Sequence, residues 1–277
     1  MAEEKRPLIE VKNLKKYFQV GSGKTLHAVD DVSFSLEKGQ TLGLVGESGC
    51  GKSTVGTVIM RLQDPTSGEL LFEGKDIFKC KNRKENLQYC KEMQIVFQDP
   101  YSSLNPKKTI RSILSEGYLI HHTVSKKDLN DVLALLSEKT GISKDMWDQY
   151  PHELDGGRRQ RVGIARALIL DPKLVVCDEP VSALDVSIQA QILNLLKQLQ
   201  RDMGLTYVFI THDLSVVKYF SDDIAVMYLG QMVEKAPSDE IFANPAHPYT
   251  QSLLSAIPLP IVGKEKPERK LIKGEVT

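Results

Sequence analysis

Nine residues constrain this chain more than any others. The run "GESGCGKST", Gly46 to Thr54, follows the short apolar stretch "QTLGLVG" and opens the amphipathic "KSTVGTVIMRL". It fits G-x-x-x-x-G-K-[ST] in full, between a buried strand and a helix, the context in which that pattern holds phosphate. Glycines let backbone N–H groups turn inward onto the β- and γ-phosphates, and the helix start adds the positive end of its dipole. Lys52 contributes a mobile cation, and Ser53 a hydroxyl able to ligate Mg²⁺. The alternative, a glycine-rich structural turn, is disfavoured by the complete pattern. A second run, "GSGKT" from Gly21 to Thr25, imitates half of the loop. The first glycine of the pattern would there fall at Phe18, and no buried strand precedes it, so a hairpin tip is expected.

The rest of the chain supplies a fold for such a loop. "PLIEVKNL" alternates weakly and reads as a strand, "VGSGKTLHAV" as a hairpin loop and "DVSFSLEKG" as the next strand. "GELLFEG" and "MQIVFQ" are further strands. From about Asp99 to Leu168 the spacing turns helical, in "TIRSILSEGYLI", "KKDLNDVLALLSEKTG" and "RRQRVGIARALIL". The apolar strand "KLVVCDEP" then precedes a long helix, "VSIQAQILNLLKQLQRDMG", closed by Gly204. "TYVFITHD" is another buried strand, and "DDIAVMYLG" with "QMVEKA" a hairpin. Strands alternating with helices predict a parallel, covered sheet carrying a helical insertion. The tail beyond "HPYTQSLLSAIP" is rich in Lys, Glu and Pro and is expected to be irregular.

Charge narrows the partners. Lys+Arg and Asp+Glu both number 36, so no bulk attraction to nucleic acid or anionic lipid is indicated. The four cysteines show no metal-ligand spacing, and two lie in apolar or glycine-rich runs, as in a cytoplasmic protein. "MAEEKRPLIE" has no apolar signal region. No apolar run approaches the ~20 residues that span a bilayer, so work at a membrane would proceed through partners.

Two strand ends carry candidate chemistry. "LVVCDEP" ends on Asp178 and Glu179, at the carboxyl end of a strand where α/β folds bind ligands. Asp178 suits Mg²⁺ directly or through water; Glu179 suits orienting or deprotonating an attacking water. "THDLS" ends the next strand with His212, a residue for the γ-phosphate or that water, or else a simple cap.

In this order the motifs resemble the ATP-binding subunit of ABC transporters, from about Leu8 to Pro258. The family's glutamine loop matches "IVFQDP" with Gln98. Its signature matches "LDGGRRQR", residues Leu154, Asp155, Gly156, Gly157 and Arg158 onward. Its D-loop matches "SALD", Ser182, Ala183, Leu184 and Asp185. "QDPYSSLNP" and "NPAHPYTQSLLSAIP" are similar to the oligopeptide, dipeptide and nickel importer group, nearest the second of its paired ATPases.

The resemblance implies an α/β fold: a P-loop NTPase (RecA-like) core with an antiparallel β subdomain and an inserted α-helical subdomain. The core with its N-terminal β subdomain would be 1–98 and 165–235, the helical subdomain with the signature 99–164, and a C-terminal extension 236–277. It implies ATP and Mg²⁺ as cofactors. Gly46, Glu47, Ser48, Gly49, Cys50, Gly51, Lys52, Ser53 and Thr54 would bind ATP, and Ser53, Gln98 and Asp178 would bind Mg²⁺. Glu179, His212 and Gln98 would be catalytic. Phe18, or Tyr17 as second choice, would stack on adenine, unless both pack in the first sheet. The expected partners are a paralogous ATPase in a head-to-tail dimer, two transmembrane permeases and, indirectly, an extracytoplasmic solute-binding protein. Nucleic acid is not among them. The expected location is peripheral, on the cytoplasmic face of the membrane. No cysteine follows Cys177, so no iron–sulfur cluster of the kind some importers carry is expected in this chain. Regulatory or soluble ABC-type ATPases are the alternative.

One motif departs from its family. The usual signature is Leu-Ser-Gly-Gly-Gln; here Asp155 replaces the serine and Arg158 the glutamine. An ionised aspartate donates no hydrogen bond to a γ-phosphate. At ~4 Å and an effective dielectric of ~20, two like unit charges repel by about 4 kcal/mol. Aspartate is as good a helix N-cap as serine, so the local fold should survive. Arg158 and Arg159, three and four residues on, either neutralise Asp155 or reach the phosphate themselves.

Overall fold

The computed structural model describes residues 6–21, 23–121 and 126–256. Strands β1 (Ile9–Val20), β2 (Lys24–Leu36) and β3 (Thr41–Val45) come first, then helix α1 (Lys52–Ile59) and strands β4 (Ser67–Phe72) and β5 (Lys75–Asp76). Helix α2 (Arg83–Glu92) and strand β6 (Met93–Val96) precede the helices α3 (Pro100–Ser103), α4 (Ile110–His121), α5 (Lys126–Thr140) and α6 (Gly156–Leu168). Next come β7 (Leu174–Asp178), α7 (Val186–Met203), β8 (Thr206–Thr211) and α8 (Leu214–Phe220). Strands β9 (Asp223–Tyr228) and β10 (Gln231–Pro237) and helices α9 (Ser238–Ala243) and α10 (Pro248–Ser255) complete the described chain. The tail beyond Pro258, expected to be irregular, lies outside the described residues.

The chain divides into two compact units, the described residues of Met1–Phe78 with Phe209–Thr277, and those of Lys79–Val208. In the first, β2-β1-β4-β5 form an antiparallel sheet. The weak alternation of the first strand has a cause. Ile9 and Val11 point inward, a bulge follows, and Leu14 rather than residue 13 is the next buried position. Asn13 takes the strain with φ 47°, its N–H bonded to the Ser33 hydroxyl at 2.8 Å and its side-chain amide to Asp31 at 2.9 Å.

The expected hairpin loop is instead mostly strand. Val20 pairs with Lys24, so β1 and β2 run on until only the turn at 21–23 remains. Residues 24–27 are all exposed, so no apolar alternation could mark them in the sequence. Ser22 lies outside the described residues. In the same unit β3 lies parallel to β9, Leu42 opposite Asp223 and Val45 opposite Val226, with β10 antiparallel beyond. Every residue of β3 is buried, as a strand covered on both faces requires.

In the second unit β6 and β7 pair in parallel, Met93 opposite Leu174 and Val96 opposite Cys177. Helix α6 centres the helical set, burying Val162, Ile164, Ala165 and Leu168 on its inner face. Two of its arginines are tied inward: Arg161 donates to the Thr140 carbonyl at 3.1 Å, and Arg166 donates to the Ser103 carbonyl. Trp147, almost fully buried, donates its ring N–H to Ser137 at 3.0 Å. Helix α7 ends on Gly204 at φ 66°, as read from the sequence. Helix α2, unforeseen, has no buried residue, and hence no apolar face to reveal it.

Candidate functional site

The glycine-rich loop joins β3 to α1. Gly46, Gly49 and Gly51 all have positive φ, so the chain turns in a way that other residues resist. At Gly51 a Cβ would stand 2.1 Å from the carbonyl oxygen of Ala28 on β2; at Gly46 it would stand 2.2 Å from that of Met227. Main chain therefore packs directly on main chain on both sides of the loop. Lys52, 4% exposed, folds back and donates to the Gly46 and Glu47 carbonyls, each at 2.7 Å. Burial pushes the neighbouring Cys50 thiol up, against the pull of Lys52, which keeps it neutral. The Cys50 carbonyl accepts the Gly230 N–H at 3.0 Å.

In the second unit Asp178 closes β7, 9% exposed, and Glu179 follows at φ 44°. A left-handed glutamate costs roughly 1–3 kcal/mol, strain that collects at functional positions. Gln98 reaches it across 81 residues of sequence, its side-chain N–H₂ donating to the Glu179 carboxylate at 3.1 Å. The Glu179 carbonyl accepts the Ser182 hydroxyl at 3.1 Å, which ties the acidic strand end to the "SALD" turn. Asp99, beside Gln98, caps α3 by accepting from the N–H groups of Tyr101 and Ser102. Those bonds, the Tyr101 one foremost, hold its carboxyl below the usual range.

Asp155 is the N-cap of α6. Its carboxylate accepts the Arg158 N–H at 2.8 Å, and the Arg158 guanidinium pairs with it at 3.3 Å. The capping expectation holds, and of the two arginines it is Arg158 that pairs with Asp155. Arg159 takes neither expected part. It is buried, donates to the Pro151 carbonyl at 2.6 Å and stacks on Tyr101 at 3.6 Å. One residue further round the helix points it inward instead of toward the cap. The two glycines also have a packing role that the sequence did not disclose. A Cβ at Gly156 would meet Leu184 at 3.3 Å, and one at Gly157 would meet Ile188 at 2.8 Å. The signature helix thus rests on the "SALD" turn and the start of α7.

In the first unit the Tyr17 ring stacks on His27 with centroids 3.9 Å apart, and its hydroxyl donates to Asp30 at 2.6 Å. Phe18 faces the other side of β1, with the Lys16 ammonium 4.9 Å from its ring centre. His212 sits between the end of β8 and Asp213, which caps α8 by accepting from the Ser215 N–H at 2.8 Å.

A profile of the ABC transporter family matches residues 29–182, more than half of the chain. The chain belongs to the ABC transporter family. A second profile, "Oligopeptide/dipeptide transporter, C-terminal region", matches residues 233–277. The oligopeptide transport ATP-binding protein OppF of Bacillus subtilis (strain 168) is 56% identical over 254 residues, 91% of this chain and 83% of that one. The dipeptide transport ATP-binding protein DppF of Escherichia coli (strain K12) is 48% identical over 276 residues, 98% of this chain and 82% of that one. Among solved structures, the ATP-binding cassette MJ0796, a dimer in a post-hydrolysis state bound to ADP and Pi, superposes with a TM-score of 0.75 at 26% identity. The match covers 83% of this chain and 98% of that one.

The fold is therefore that of the ABC ATPase cassette, and the chain is an ATP-binding, ATP-hydrolysing subunit. Its placement in the oligopeptide and dipeptide group, read first from "QDPYSSLNP" and "NPAHPYTQSLLSAIP", agrees with the second profile and with both relatives. Among the described residues no helix is long and apolar enough to cross a membrane, and no three acidic, His or Cys side chains gather as a metal site. The described structure adds contacts that the sequence did not disclose: Ala28 and Met227 against the loop glycines, Tyr101 of "QDPYSSLNP" beneath Arg159, and Tyr249 of "NPAHPYTQSLLSAIP", whose hydroxyl accepts the Glu47 N–H.

Proposed function

We propose that this chain powers uptake of oligopeptides or dipeptides by hydrolysing MgATP beneath two membrane permeases, as a peripheral subunit on the cytoplasmic face. The paired ATPase is a paralogue, and an external binding protein delivers the solute. The names of the relatives and the C-terminal profile support the solute class. The observation that carries the catalytic reading is the bond from Gln98 to Glu179, which joins the glutamine loop to a strained carboxylate beside a buried aspartate.

The residue roles follow. Gly46–Thr54 hold the phosphates, and Lys52 exchanges its two loop carbonyls for phosphate oxygens. Glu179 orients or deprotonates the attacking water, and His212 contacts the γ-phosphate. Phe18 stacks on adenine; Tyr17 is already stacked on His27 and bonded to Asp30. Residues 99–164 dock on a permease.

Mg²⁺ suits the oxygen donors Ser53, Asp178 and Gln98. The ion keeps several waters and needs few protein ligands, so no three-acid cluster is required. Gln98 commits its amide nitrogen to Glu179, and its oxygen is the atom that would ligate a cation. When bound, the ion neutralises charge developing on the phosphates.

Each ATP of the dimer meets one subunit's phosphate loop and the other's signature, so Asp155 acts on the partner's nucleotide. Its carboxylate caps the signature helix and pairs with Arg158, but supplies no hydroxyl donor. The site completed by this signature hydrolyses poorly; the site built on this chain's own loop turns over with the partner's signature. ATP turnover by the assembled transporter tests this. Glu179→Gln should lower turnover more than 100-fold, and the equivalent change in the partner less than threefold. Equal losses would reject the asymmetry.

A further inference from the structure

A residue of the C-terminal region matched by the second profile bonds to the phosphate loop. The N–H of Glu47, second residue of the loop, donates to the Tyr249 hydroxyl at 3.0 Å, 202 residues away in sequence. Both belong to the first unit. We infer that Tyr249 is a positioning residue for ATP: it holds the Glu47 peptide in place while Lys52 leaves that peptide for the nucleotide.

The Glu47 peptide groups are held from two sides. Lys52 donates to the Glu47 carbonyl at 2.7 Å, and Tyr249 accepts from the Glu47 N–H. An ammonium that moves to phosphate oxygens gives up the first tie. The Cys50 N–H still donates to the Glu47 carbonyl at 3.3 Å, but that bond lies within the loop; Tyr249 holds the start of the loop by a hydrogen bond from outside it, and a preorganised loop binds more tightly because less ordering remains to be done.

Tyr249 is built to stay where it is. It is 3% exposed and packs on Tyr228 with ring centroids 4.4 Å apart; Tyr228 closes β9 next to Met227, whose carbonyl abuts Gly46. Burial, more than any other influence, pushes its hydroxyl up to about 12, so it remains neutral at every working pH. Its helix is set in turn by β10. The Glu234 carboxylate accepts the N–H groups of Ala246 at 2.7 Å and His247 at 3.0 Å. His247 caps α10 by accepting the N–H of Tyr249 itself at 3.1 Å. A chain of contacts thus runs from Glu234 through His247 and Tyr249 to the loop.

The inference rests on Gly46–Thr54 being the phosphate loop, and the test separates the two. MgATP binding to the full chain is measured by calorimetric titration, with amide exchange at Glu47 as a second readout. Lys52→Ala should abolish binding; unchanged binding there would reject the loop reading itself. Tyr249→Phe keeps the ring and removes the acceptor. It should weaken MgATP about tenfold, equivalent to ~1.4 kcal/mol, and speed Glu47 exchange at least tenfold. Tyr207→Phe is the control. It removes another buried tyrosine hydroxyl, bonded to the Leu196 carbonyl at 3.1 Å, and should leave affinity within twofold. Should Tyr249→Phe fold poorly, Glu234→Ala, which loosens the start of α10, should weaken MgATP in the same direction. Unchanged affinity in Tyr249→Phe, an equal loss in Tyr207→Phe, or unchanged affinity in Glu234→Ala would each overturn the proposal.

Discussion

Gly51→Ala should damage the protein far more than Gly49→Ala, although each adds the same single methyl group. Gly51 has φ 105° and Gly49 φ 83°, so each alanine would carry the strain of an unfavourable backbone, about 1–3 kcal/mol. Their surroundings differ. Nothing lies within 4 Å of a Cβ at position 49, whereas at position 51 it would sit 2.1 Å from the Ala28 carbonyl oxygen and 3.3 Å from the Met227 methyl. The oxygen belongs to a strand and cannot rotate away, so loop or strand must shift, an overpacking cost of about 1–3 kcal/mol more. Taking ~4 kcal/mol for Gly51→Ala against ~1 kcal/mol for Gly49→Ala, and about 2–4 °C per kcal/mol for a chain near this size, the unfolding midpoints should fall by ~8–16 °C and ~2–4 °C. Circular dichroism melts read both. Ala28→Gly should give no rescue, because the obstacle is main chain. MgATP titration should show Gly51→Ala binding at least 100-fold more weakly, since the displaced residue starts α1. Equal midpoint shifts for the two alanines, or rescue by Ala28→Gly, would refute the reasoning.

The other outcomes can be stated briefly. Asp155→Ala removes the α6 cap and should cost about 1 kcal/mol in a denaturant melt, while Asp155→Ser should be neutral within ~0.5 kcal/mol. The pair Asp155→Ser with Arg158→Gln should raise turnover at the site that receives this signature, measured in a transporter whose other site is disabled. Glu234 gives a pH dependence. Burial raises its carboxyl, but the nearby Thr250 hydroxyl and the bonds from the N–H groups of Ala246 and His247 outweigh that and leave it below its ordinary 4.5. A depressed carboxylate stabilises the fold above its unfolded pKa and loses that contribution as pH falls through the folded value. The midpoint gap between the wild type and Glu234→Gln should therefore be full at pH 6–7 and shrink below about pH 4.5; a gap independent of pH would count against the cap.

Much of the architecture was legible because it is local. β3, α1, β7 and α7 are each specified by a short apolar run with a glycine or acidic residue at its end, and the structure has them at those places. The misreadings of β2 and α2 share one cause. β2 begins with exposed residues and α2 buries nothing, so hydrophobic period carried no signal there; β1 was read as a strand, its weak alternation being due to a bulge. The signature shows the same division within four residues. Asp155 capping its own helix was foreseeable from the chain, whereas Arg159 turning under Tyr101 depended on a partner 58 positions away.

By itself the sequence determined the elements, the order of the motifs and the chemistry each can perform, since all three depend on residues adjacent in the chain. Only the tertiary structure decided which group leans on which: Ala28 on Gly51, Ile188 on Gly157, Gln98 on Glu179, Tyr249 on Glu47. These contacts join residues 23 to 202 positions apart, or in the signature 31, through carbonyls, amides and single side chains. Such pairings follow from how strands register and helices pack, and no periodicity within one segment encodes them.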